Sequence, residues 1–171
     1  MLTLFKTLLE IIFLQKGPES IPRSSVLFVV VAGLWIVVGA IGASIVDTYD
    51  GQALIMDLVL TAVGFLLYAI VLKFFGKSER LLQALTAILG CGAIFGAALF
   101  AGRFVLTELL SASETVLYSE IILLWSILIE GHIIARTTER LWFFGILVAL
   151  AVFIIQLQVF AYFRPALVAA I

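Results

Sequence analysis

Glu130 and the chain's single histidine, His132, stand two residues apart inside the apolar run "LLWSILIEGHIIARTTER", residues 123–140. An acid and an imidazole in such a place can serve an ion path, a proton relay or a docking surface, and an ionisable group within an apolar span is a functional candidate by default. Two more acids, Asp57 and Glu120, sit in apolar surroundings, Gln156 and Gln158 sit in a further run, and Arg103 closes another. Helical residues two apart face different ways, so Glu130 and His132 do not make a dyad on one face. His132, Arg136 and Glu139 do share a face, at i, i+4 and i+7, and Arg140 continues the row.

The usual catalytic arrangements are missing from this sequence. One histidine and one cysteine, Cys91, build no zinc site unaided, and no glycine-framed serine occurs. Ser126 precedes His132 by six residues, which is off its face. "FFGKSER" has a Gly-Lys-Ser core but no upstream glycine and no preceding strand, so it is not a phosphate loop. We therefore expect a protein that is not an enzyme, with no catalytic residue, no cofactor and no metal ligand set.

The elements that must position these groups follow from composition. Of the 171 residues 64% are hydrophobic and 12% charged, and the mean hydropathy is +1.28. That balance belongs to an integral membrane protein. A net charge of -1 excludes a nucleic-acid footprint. Uncharged blocks of 21, 22 and 23 residues lie between Ser25 and Asp47, Arg80 and Arg103, and Arg140 and Arg164. Each fits the roughly 20 residues that a helix needs to cross the hydrocarbon core. Gly51 to Leu72, holding Asp57, and Thr115 to Ala135, holding Glu120, Glu130 and His132, supply two more. The expected fold is all-α: residues 1–23 an N-terminal helix and linker, residues 24–171 five spans near 25–46, 52–73, 81–102, 115–135 and 141–163.

In "MLTLFKTLLEIIFLQK", Thr3, Lys6, Thr7 and Glu10 share one helical face while Leu2, Phe5, Leu8, Leu9 and Ile12 cover the rest. This pattern predicts an amphipathic helix lying in the membrane interface. Its recurring charges, and the lack of a small-residue cleavage site after it, argue that it is retained rather than removed as a signal peptide. "KGPESIPRSS" then breaks the helix with Pro18 and Pro22 and offers Ser24 or Ser25 as a cap.

Orientation follows from the short loops. With the N-terminus cytoplasmic, Lys6, Lys16, Arg23, Lys73, Lys77, Arg80, Arg136 and Arg140 lie inside and only Arg103 and Arg164 outside, as the positive-inside rule requires. The C-terminus is then outside. Counting about 1.5 Å per residue, Asp57, Glu120, Gln156 and Gln158 fall roughly 8 to 10 Å in from the outer ends of their spans. Asp57, Arg103, Glu120 and Gln156 are expected to form a polar layer facing the bundle interior. Whether Glu130 faces that interior or the lipid is left open.

Energetics require some such pairing. Eleven Ile, Leu and Val residues between Thr115 and Ala135 contribute roughly -3 to -7 kcal/mol to insertion, while two central carboxylates cost up to about +6. The acids of that span must be off-centre, protonated or paired. In "LGCGAIFGAALFAG", Gly92 and Gly96 stand four apart and let another backbone approach closely, either within the chain or in a homo-oligomer. The turn cations Lys73, Lys77, Arg80, Arg136 and Arg140, with His132 and Glu139, form an inner face for anionic lipid or for docking of a membrane-protein partner.

Two segments carry a family resemblance. "KFFGKSERLLQALTAILG", residues 73–90, resembles the Yip-domain (Ypt-interacting-protein) pattern of a helix leaving through a Gly-Lys-rich turn into a polar-then-apolar helix. "LLWSILIEGHIIARTTERLWFFGILVAL" is similar to the fourth-to-fifth helix passage of short bacterial members. The resemblance implies five spans, a cytoplasmic N-terminus, a bacterial inner membrane and a non-enzymatic role as organiser or adaptor in a membrane complex. The Rab association of eukaryotic members is not carried over, because the first span begins at Ser25 after only a short segment. "ILGCGAIFGAAL" also lacks the proline that many members have in their third helix. The alternative expectation is a small oligomeric transporter or channel passing a cation or proton along Asp57, Glu120 and Glu130.

Overall fold

The computed structural model describes residues 2–45, 51–106 and 111–168. Among them the chain forms no strand and six α-helices: α1 (Leu2–Ile12), α2 (Ser25–Ile45), α3 (Gly51–Phe74), α4 (Leu81–Leu106), α5 (Ala112–Thr138) and α6 (Trp142–Val168). The helices α2 to α6 are long and apolar enough to cross a membrane. The all-α bundle read from the sequence is the fold.

Several helices outrun their apolar blocks because polar residues finish their turns. Ser111 caps α5: its hydroxyl accepts from the Glu114 N–H, while the Glu114 carboxylate accepts from the Ser111 N–H at 2.8 Å. This capping box starts the helix before the expected Thr115. At the other end Glu139 adopts a left-handed φ of 56°, and the Arg140 N–H returns to the Ala135 carbonyl at 3.0 Å. That closes the last turn after Thr138.

Contacts fix the directions of the helices. Trp35, Val38 and Gly42 of α2 meet Gly92, Gly96 and Phe100 of α4 in the same order, so these two run parallel. In α3 and α6, Phe75 just beyond α3 meets Phe144 edge to face with ring centroids 5.1 Å apart, while Leu60 meets Gln156, so the pair is antiparallel. The N-terminal segment, the α3–α4 turn and the α5–α6 turn therefore gather at one end of the bundle. This basic end carries most of the chain's cations.

The most intimate crossing joins α5 to α6. A Cβ added to Gly131 would stand 2.8 Å from the Ile146 Cα, and one added to Gly145 would run into the Gly131 carbonyl and the Ala135 backbone. Only two glycines allow backbones this close. Gly92 and Gly96 lie instead against Trp35 and Val38 of α2, so within this chain they serve internal packing.

The main buried cluster lies toward the basic end. Leu72 of α3, Ala84, Ala87 and Cys91 of α4, Ile129, Ile133 and Ile134 of α5 and Val152 of α6 pack there with Leu8, Ile11 and Ile12 of α1. One apolar side of α1 packs against the bundle. Leu8 rests on Gly90, nine residues and hence about 14 Å along α4, and the Trp125 indole donates to the Ile12 carbonyl at 3.2 Å. Apolar residues cover more than half of the circumference of α1, leaving one apolar side to enter the bundle and another, with Phe5 and Phe13, to remain exposed.

Candidate functional site

The polar residues of three spans converge in the half of the bundle that the core leaves loosely filled. On α3, Asp57, Thr61, Gly64 and Tyr68 follow one another at i, i+4, i+7 and i+11 and so occupy one face. On α5 the matching row is Ser126 and Glu130, and on α6 it is Phe153, Gln156 and Phe160. Asp57 and Thr61 of the first row and all of the other two, with Trp35 of α2, line a cavity of about 400 Å³, which Tyr68 underlies through its bond to Glu130. No lysine, arginine or histidine among the described residues lines it.

Glu130 is the pivot of this site. The buried Tyr68 hydroxyl donates to its Oε2 at 2.5 Å, which ties α3 to α5 across 62 positions of sequence and satisfies one carboxylate oxygen. Gly64, one turn before Tyr68, leaves the space in which the Gln156 amide lies; a Cβ there would stand 2.8 Å from its Nε2. That Nε2 donates to the Leu60 carbonyl at 2.8 Å and fastens α6 to α3. The Ser126 hydroxyl donates to the Leu123 carbonyl of its own helix at 2.7 Å. It is thus a wall group rather than an activated nucleophile.

A second cavity of about 310 Å³ adjoins the first through Asp57 and Trp35, which line both, and it reaches Arg103 between α2 and α4. Asp57 and Arg103 therefore share one chamber, and Asp57 and Gln156 share the other. Glu120, expected in the polar layer, is instead exposed on α5 and lines neither cavity. The reason is angular, since Glu120 and Glu130 are ten residues apart and 3.6 residues per turn sets them about a quarter turn apart, so the two acids do not share a face. Glu130 takes the inward place.

The expected inner face is largely engaged within the chain. Glu139 binds Lys77 Nζ at 2.6 Å and Arg80 Nη2 at 2.8 Å, linking the two turns of the basic end. The left-handed backbone at Glu139 takes it out of the helical row shared by His132 and Arg136. Hydrogen bonding and charge from Lys77, then the charge of Arg80, hold the Glu139 carboxyl below the usual carboxylate range. The Arg140 guanidinium lies 5.2 Å from the Phe75 ring centroid, while Lys73 is exposed. His132 Nε2 lies 2.9 Å from the Lys16 carbonyl, so the ring donates through that nitrogen. Arg136 Nε donates to Glu19 Oε1 at 3.1 Å. His132 and Arg136 thus hold the N-terminal segment to α5.

Sequence reasoning had no place for Tyr68. Its signal was the row Asp57, Thr61, Gly64 and Tyr68, which puts small and polar side chains on one face of an otherwise apolar helix. The fold is an all-α bundle whose five long apolar helices fit a multi-pass membrane protein, with an acid-lined cavity among them. No family model, curated protein or solved structure matches the chain. The Yip-domain resemblance accordingly rests on the two quoted segments alone.

Proposed function

We propose that this protein takes a proton or cation into the chamber between α3, α5 and α6 and acts as a small transporter or channel component. One observation carries the reading: Glu130, held by Tyr68, and Asp57 line the same cavity within apolar helices. An acid at that depth is costly to place in hydrocarbon and attracts positive charge. In this reading the basic end is cytoplasmic, in a bacterial inner membrane, and Lys73 and neighbouring cations meet anionic lipid. A homo-oligomer would complete any pathway that one five-span chain is too small to enclose.

The test is flux. Proteoliposomes carrying an internal pH dye should dissipate an imposed gradient of protons or monovalent cations. Glu130→Gln and Asp57→Asn should each lower the rate at least about tenfold, the order expected when a charged transport site is removed. Equal rates in all three preparations and in empty liposomes would sink the transport reading. The adaptor role implied by the Yip-domain resemblance would then lead, tested by whether a stoichiometric membrane partner co-purifies with the wild type and is lost from His132→Ala, Arg136→Ala.

A further inference from the structure

We infer that the ligand of the chamber is a monovalent organic ammonium, a nitrogen cation carrying apolar substituents, rather than a bare metal ion. The inference rests on the transport reading and names its substrate class.

The first support is size. About 400 Å³ lies within the range of sites that enclose small organic molecules, roughly 300 to 1,000 Å³. A dehydrated metal ion needs instead a tight shell of several oxygen ligands at once. Among the described residues no three His, Cys, Asp or Glu side chains gather in a metal-holding group. Asp57 and Glu130 approach one space from different helices, as two charges along a chamber and not as a cage.

The lining supplies the second support. Trp35, Phe153 and Phe160 stand around the same space as the two carboxylates. Aromatic faces attract ammonium groups, and quaternary ammonium ions are bound by such walls together with acids. A proton path requires none of these rings, whereas an organic cation uses both kinds of surface: Glu130 balances its single charge and the rings cover its carbon. An anion would meet the Glu130 carboxyl and no lysine, arginine or histidine in the lining. A neutral apolar molecule would leave Glu130 without a counter-charge and would gain nothing from the chamber over the surrounding lipid.

The arrangement also assigns roles. Glu130 is the charge partner, oriented by Tyr68, which fills one oxygen and leaves the other to the ligand. Gln156, fastened to α3, keeps the far wall in place. Phe153 gives a face to the substituents.

The experiment is equilibrium dialysis of the full-length protein in mild detergent with radiolabelled phenyltrimethylammonium, using unlabelled tert-butylbenzene, its neutral isostere, as competitor. Saturable binding is expected that the isostere does not displace. Glu130→Gln and Phe153→Leu should each weaken it at least about tenfold. Glu120→Gln, whose carboxylate lies outside the chamber, should leave it unchanged. Two chamber variants of different chemistry guard against a single misfolded one, and elution as a single species checks each.

Absence of saturable binding to the wild type overturns the inference, as does binding that all three variants retain. If ammonium binding is absent while Glu130-dependent proton or metal-cation flux is present, the transport reading stands and the substrate class fails. Chamber-dependent ammonium binding without any flux supports the ligand assignment and sinks transport.

Discussion

Tyr68 and Glu130 are joined by one short hydrogen bond, and that bond sets the consequences of changing either. Tyr68→Phe removes the donor and keeps the ring, so the carboxylate loses its tether without a cavity opening. The expected loss is about 1 to 3 kcal/mol, the usual cost of leaving a buried acceptor unsatisfied. It should register as a lower midpoint of thermal unfolding in detergent. The double variant Tyr68→Phe, Glu130→Gln should lose less than the two single changes added together, because the partners share one interaction. Strict additivity would mean that the pair is not coupled. The helical row containing Tyr68 was legible in the sequence; its partner on α5 was not, because a contact across 62 positions leaves no local trace.

At the scale of an element, α1 shows how an amphipathic helix can have two apolar sides with different fates. Leu8 is 4% exposed and Phe5, three residues earlier, is 54% exposed. Leu8→Ala should therefore destabilise the bundle by about 2 to 5 kcal/mol, the range for emptying a buried leucine site. Phe5→Ala should leave the unfolding midpoint nearly unchanged. Similar effects from both changes would mean that Leu8 is not seated in the bundle. The amphipathic pattern predicted a helix over these residues, and a helix is there. What it did not reveal was Gly90, whose missing side chain makes the seat for Leu8 about 14 Å along α4.

Across the whole molecule, the ion pairs of Glu139 with Lys77 and Arg80 tie the α3–α4 turn to the α5–α6 turn. The folded protein keeps this carboxyl ionised to lower pH than the unfolded chain does. Its stabilising contribution is therefore complete above the usual carboxylate range and is lost as pH falls through the depressed folded value. Thermal unfolding of the wild type and Glu139→Gln should differ most near neutral pH. The two midpoints should converge on acidification below about pH 4, the ordinary carboxylate value. A gap that stays constant with pH would show that the pair contributes no linked stability.

The sequence by itself determined the class, the five spans and most of their ends. Each of these depends on local quantities: the transfer free energy of some twenty consecutive residues and the charged and turn residues that bound them; the caps at Ser111 and Glu139, which carry α5 past the expected 115–135, came from the structure. Tertiary structure alone decided that Glu130 faces inward and Glu120 outward, that Gly131 and Gly145 form the tightest crossing, and that Leu8 enters the bundle. In a soluble protein a helix announces its buried side by hydrophobic periodicity. A span surrounded by lipid is apolar on every side, so facing is settled by close packing of small residues and by hydrogen bonds between helices, which are distant in sequence.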